Sequence, residues 1–187
     1  MGAAVLSLTL VSCKQEPKPE DPKEVAEEAN EEKFEDTAND SLEDDSEYLV
    51  NATEVDMKEI ELGKLAQTKS TNPDVKAFAK MLVDEHTKAS ADVKALAAKK
   101  NITLPATATD KVQDAYKDLN EKTGTDFDKA FADKMVDGHE KTIEKVEKVS
   151  EKAKDPDIRM WAANILPTLR KHLDEAKALK VKTDALK

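Results

Sequence analysis

The chain has 187 residues, 37% of them charged and only 4% aromatic, with a formal net charge of −10. Fifteen acids and four lysines fall between Lys14 and Glu47, which leaves 25 acids and 26 bases in the rest of the chain. Without a basic stripe to neutralise phosphates, a nucleic-acid binder is excluded. With Cys13 as the one cysteine, so is an intrachain disulfide.

Residues Met1–Ser12 are small and apolar, too short a run to span a bilayer as a helix. The run has the character of a signal-peptide core. It ends in Leu10-Val11-Ser12-Cys13, which resembles the bacterial lipobox. That resemblance implies cleavage and lipidation at Cys13, a membrane anchor through the lipid, and a place in the cell envelope, facing the periplasm or at the cell surface. Residues 1–13 are thus expected to be a signal peptide with its lipobox. Residues 14–46 are acidic, contain proline and hold few large apolar side chains. Such a segment buries too little surface to offset its ordering entropy. It is expected to be a disordered tether, with at most a nascent helix over 23–34.

From Tyr48 onward the apolar spacing turns helical. Helix one is expected over about 46–70, with Tyr48, Ala52, Val55, Leu62 and Ala66 inward. Asn72-Pro73 is a stop and restart, with Asn as N-cap and Pro at the first helical position. Helix two then reaches about Lys100. After a loop over 101–107, a short helix is expected over about 110–121, closed near Gly124. Helix three is expected over about 125–154. Asp155-Pro156 repeats the restart, and helix four runs to about Lys182. Steps of three and four along each seam are the spacing of a helical bundle. The expected fold is all-α, an antiparallel four-helix bundle over 47–187, with the extra short helix in the connection between its two hairpins.

All three histidines fall in these seams, one on each of the last three long helices. His86 continues the series Val75, Ala79, Leu82; His139 follows Met135; His172 follows Leu169. Glu59 takes the corresponding step of helix one. The fixed rise per residue then gives their levels. Glu59 and His86 lie 14 and 13 residues from Pro73, and His139 and His172 lie 17 and 16 residues from Pro156. One polar residue per helix, at mid-height and facing inward, is the pattern of a metal centre built inside a bundle. Imidazole and carboxylate are good ligands for zinc, copper or iron, so Glu59, His86, His139 and His172 are the candidate ligands of one transition-metal ion. Asp56, Glu85, Asp137, Glu140 and Glu175 are the carboxylates placed to support them. A second reading stays open: a Glu–His pair across each hairpin would satisfy both partners as a buried polar layer without metal. A di-iron centre is disfavoured. It needs Glu-x-x-His on two helices, whereas Val83 and Leu169 precede His86 and His172 by three.

Two residues interrupt good helix. Gly138 costs roughly 1 kcal/mol against Ala, and Pro167 removes a rung of the helical ladder. On the structural reading they allow close helix contact and a bend around the core; on a functional reading they shape the site beside His139 and His172. Trp161 and Tyr116 are expected at the core or its rim. No nucleophile triad and no glycine-rich phosphate loop is present, so no catalytic motif is assigned. Redox chemistry would need an open position on the metal.

The segment Met57-Lys58-Glu59-Ile60-Glu61-Leu62-Gly63-Lys64-Leu65-Ala66 resembles the first-helix motif of a bacterial ferritin-like family, the domain of unknown function 4142. So do Val75-Lys76-Ala77-Phe78-Ala79 leading to Glu85-His86-Thr87-Lys88, Met135-Val136 leading to His139-Glu140-Lys141, and Leu166-Pro167-Thr168-Leu169-Arg170-Lys171-His172-Leu173. The resemblance covers about Tyr48–Leu179. It implies a ferritin-like bundle in exported or envelope-associated bacterial proteins, with recurrent Glu and His positions at Glu59, His86, His139 and His172, and no established reaction. Glu85 and Gly138 stand where the family often has Asp before the His. Two functions follow as expectations: an envelope lipoprotein that binds a transition metal, or a structural lipoprotein that meets an envelope protein or a second copy of itself.

Overall fold

The computed structural model describes residues 19–35 and 41–186, and within them the chain is helical with no strands. The helices are α1 (Pro22–Phe34), α2 (Ser41–Lys69), α3 (Pro73–Lys100), α4 (Asp110–Asn120), α5 (Gly124–Lys152) and α6 (Pro156–Asp184). Cys13 and the apolar segment before it lie outside the described residues. No described helix is long and apolar enough to cross a membrane.

The four long helices pair as α2 with α3 and α5 with α6, and the two hairpins meet through α3–α6 and α2–α5. The tight turns follow from local chemistry. The Asn72 side chain accepts a hydrogen bond from Asp74 N at 2.9 Å, and Pro73 opens α3. At the second turn Asp155 accepts from the backbone N–H groups of Asp157 and Ile158, ahead of Pro156. Each side chain satisfies donors that a helix start leaves bare. Asn101 closes α3 in the left-handed region, at φ 58°. Gly124, at φ 55°, opens α5 in the same left-handed region, which glycine adopts without steric cost. Pro167 sits inside α6 on its exposed side, where water can reach the carbonyl it leaves unpaired.

In the described part of the segment read as a tether, the helix foreseen over 23–34 is present, but it is docked rather than solvated. Pro22–Phe34 is a helix, capped by Asp21, that buries Ala26, Asn30 and Phe34 along one face. Asn30 both donates to the Thr103 carbonyl (2.9 Å) and accepts from Thr103 N (2.7 Å). Lys33 donates to Asn101 O and Thr103 Oγ1, each at 2.8 Å. Helix α1 therefore straps the long α3–α4 connection. Helix α2 likewise starts before the expected residue 46. Buried Asp45 accepts from the backbone N–H groups of Lys154 and Asp155, so an acid that looked like part of a solvated run closes the far turn instead.

The interior has two apolar halves. One is filled by Leu62, Phe78, Leu82, Phe127, Phe131 and Met135. The other contains Phe34, Leu49, Val93, Val149, Ile158 and Leu169. A buried polar layer divides them.

Candidate metal centre

The layer is Glu59 on α2, His86 on α3, His139 on α5 and His172 on α6, each at most 3% exposed. The regular seams of the long helices bring the three histidines together. Their ring centroids are 5.4 to 5.8 Å apart, and one nitrogen from each ring lies within 4.8 Å of the others. Glu59 stands beside this trio and is not one of the residues whose ligand atoms converge within that distance.

Each histidine is held from outside by an acceptor. His86 Nδ1 lies 2.8 Å from Asp56 Oδ1. His139 Nδ1 lies 2.8 Å from the Met135 carbonyl oxygen, one turn back on its own helix. His172 Nε2 lies 2.9 Å from Glu85 Oε2, across the interface between hairpins. A carbonyl or carboxylate oxygen can only accept, so each of these ring nitrogens carries the proton and donates it outward. The other nitrogen of each neutral ring is then a bare lone pair. Those three atoms, His86 Nε2, His139 Nε2 and His172 Nδ1, are buried without a hydrogen-bond partner, and so is Glu59 Oε2.

With the rings neutral, three imidazole lone pairs and Glu59 Oε2 thus share one buried layer, and the nearest cation, Lys58 Nζ, stands 3.7 Å from the other Glu59 oxygen. A buried polar group left unpaired costs about 1–3 kcal/mol. A cation on the lone pairs removes that cost, and outward-donating imidazoles backed by carboxylates are the arrangement that orients metal ligands. The donor set fits zinc, copper or iron. The cross-hairpin Glu59–His86 pair of the purely structural layer is not formed: His86 bonds Asp56, and Glu59 Oε2 bonds nothing.

Electrostatics separate the three rings. Burial holds His139 and His172 below the ordinary histidine pKa. Burial also opposes the charged form of His86. The hydrogen bond to Asp56 and the charges of Glu59, Asp56 and Glu85 outweigh it, and the His86 pKa is raised. Burial in turn raises the Asp56 carboxyl. Three carboxylates, Asp56, Glu59 and Glu85, surround the His86 ring and favour its charged form.

Of the five supporting carboxylates named from sequence, Asp56 and Glu85 reach a histidine. Asp137 is exposed, Glu140 pairs with Lys177 at 2.8 Å, and Glu175 pairs with Lys171 at 3.7 Å. The Met135 carbonyl was not foreseen, although any histidine can bond the carbonyl four residues earlier. Gly138 leaves room for its neighbours on α2: a Cβ there would meet Glu59 Oε1 at 3.4 Å. Tyr116 is exposed. Trp161 is half-buried, and its Nε1 is buried without a partner. It lines a cavity of about 380 Å³ that also touches Asp56, Glu85, His86 and His172.

The family model for a domain of unknown function (DUF4142) matches residues 29–179, and the chain belongs to that family. No curated protein and no solved structure matches it.

Proposed function

We propose that this DUF4142 protein is a lipid-anchored envelope module whose ferritin-like bundle binds one transition-metal ion, zinc, copper or iron, through His86, His139 and His172, with Glu59 as the adjacent carboxylate. One observation carries the reading. Three histidines each turn one N–H outward to an acceptor, and their other nitrogens, with Glu59 Oε2, are buried without a hydrogen-bond partner. Binding would serve to store, buffer or deliver the ion. The lipobox-like Leu10-Val11-Ser12-Cys13 supports anchoring through Cys13.

The structural alternative rests on the raised pKa of His86. A proton on His86 Nε2 would supply the missing donor without metal. Metal content separates the two readings. Chain purified without chelator or His-tag, and offered zinc, copper and iron, is expected to hold one ion per chain by mass spectrometry. The His86→Ala, His139→Ala double variant is expected to hold none. Metal-free wild type leaves the protonated polar layer in its place. Radiolabelled palmitate incorporated by wild type and not by Cys13→Ser tests the anchor, and an unlabelled wild type removes it.

A further inference from the structure

The polar layer divides the interior unequally. The half beyond it is filled by three phenylalanines, Phe78, Phe127 and Phe131. The other half contains the cavity of about 380 Å³, which opens to solvent. On every long helix the lining residues lie on the same side of the layer: 47–56 before Glu59, 85–89 at and after His86, 142–152 after His139, and 161–172 up to His172. The cavity is therefore elongated along the helices, from the histidines toward the α5–α6 turn. Its size falls within the range of about 300–1,000 Å³ typical of small-molecule sites.

Its walls are apolar, formed by Ala52, Val55, Val146, Val149, Ile165 and Leu169. Its outer end is different. Lys152 lies four residues before Pro156 and Trp161 five after it, which puts the two at one level on neighbouring helices. The Trp161 Nε1–H donor is buried without an acceptor. The exposed Lys152 makes no ion pair among the described residues, and Lys145 further along the same rim makes none either. Of the four acids of the lining, Glu54 is engaged by Thr109, Asp56 by His86 and Glu85 by His172; of its three lysines, Lys148 pairs with Glu144, which leaves Glu47 facing Lys145 and Lys152. An apolar tube with an unmet donor, and with two unpaired lysines against one acid at its mouth, is complementary to one chemical class.

We propose that this cavity binds an aliphatic monocarboxylate, its chain running inward toward His86 and His172 and its carboxylate accepting from Trp161 Nε1–H and pairing with Lys152. Its inner end touches His86 and His172, but the groups that would bind the carboxylate, Trp161 and Lys152, are not proposed metal ligands.

Trp161 is the one tryptophan of the chain, so its emission reports on the cavity directly. The full chain, both metal-loaded and chelator-treated, would be titrated with decanoate and separately with 1-decanol. Decanoate is expected to give a saturable change in emission in both forms, with at least tenfold tighter binding than the alcohol. Lys152→Gln, a surface change that leaves the core intact, is expected to bring decanoate down to the level of the alcohol. Ala52→Phe, with circular dichroism to verify folding, is expected to abolish both. No saturable change with decanoate, equal affinity for acid and alcohol, or undiminished decanoate binding in Lys152→Gln would each overturn the proposal. Binding in the chelator-treated form keeps this result separate from any failure of the metal site.

Discussion

His86 Nδ1 and Asp56 Oδ1 meet at 2.8 Å across the α2–α3 hairpin, both side chains buried, so the ring that faces His139 and His172 is fixed by a carboxylate behind it. Asp56→Asn keeps an oxygen acceptor at that place and removes the charge. Loss of such a supporting carboxylate typically costs about 10–100-fold in metal affinity. Competition against a chromophoric chelator should show that loss at nearly unchanged helicity. Unaltered affinity would mean that Asp56 serves only the fold.

The pH dependence of the metal-free chain has a defined sign. His139 and His172 have pKa values held below 6.5 by burial, so the stability linked to their neutral forms is present above 6.5 and is lost as pH falls through their folded pKa values. His86 is raised, so its contribution is present below 6.5 and is lost as pH rises through its folded pKa. Two rings oppose one, and the urea midpoint of metal-free chain should fall on going from pH 7 to pH 5. Metal retention should fall in the same window, because protons compete for the same nitrogens. A midpoint that rises on acidification would mean that the charged His86 governs the layer.

Gly63 and Gly138 should respond oppositely to alanine. A Cβ at Gly63 would stand 2.7 Å from Val83 Cγ2 and 3.1 Å from the Ala79 carbonyl oxygen, on the facing helix α3. Overpacking of this kind costs about 1–3 kcal/mol, partly offset by the gain in helix propensity of about 1 kcal/mol. Gly63→Ala should therefore lower the melting temperature. At Gly138 the nearest contact, 3.4 Å to Glu59 Oε1, is an ordinary one, so propensity prevails and Gly138→Ala should raise it. The same sign at both sites would contradict the close α2–α3 approach.

Asn30 is buried and makes two hydrogen bonds to the backbone of Thr103. Asn30→Ala leaves a donor and an acceptor of the α3–α4 connection unpaired, at about 1–3 kcal/mol for each group that stays buried. Limited proteolysis should then cleave within 101–109 faster than in wild type. An unchanged cleavage rate would show that α1 does not restrain the connection.

The long helices and their polar layer were legible in the sequence because both depend on local rules. Asn72-Pro73 and Asp155-Pro156 mark the turns, and a period near 3.6 places Glu59, His86, His139 and His172 on inward faces. Partners fixed by long-range geometry were not legible. Asp45 bonds residues 109 and 110 positions away, and Asn30 bonds one 73 positions away, so an acidic run gave no sign that it docks. Spacing alone could not say which of five carboxylates would reach a histidine, since that depends on how the two hairpins are rotated against each other. The cavity left no mark, because Ala52, Val146 and Leu169 are as apolar as a filled core would require.

The most direct test of the centre is X-ray absorption on zinc-loaded chain. The account predicts nitrogen and oxygen neighbours at about 2.0–2.1 Å, with the outer-shell scattering of three imidazole rings, one of them lost in His139→Ala. A shell of oxygen alone, or a spectrum unchanged by His139→Ala, would contradict a metal held by the three converging histidines.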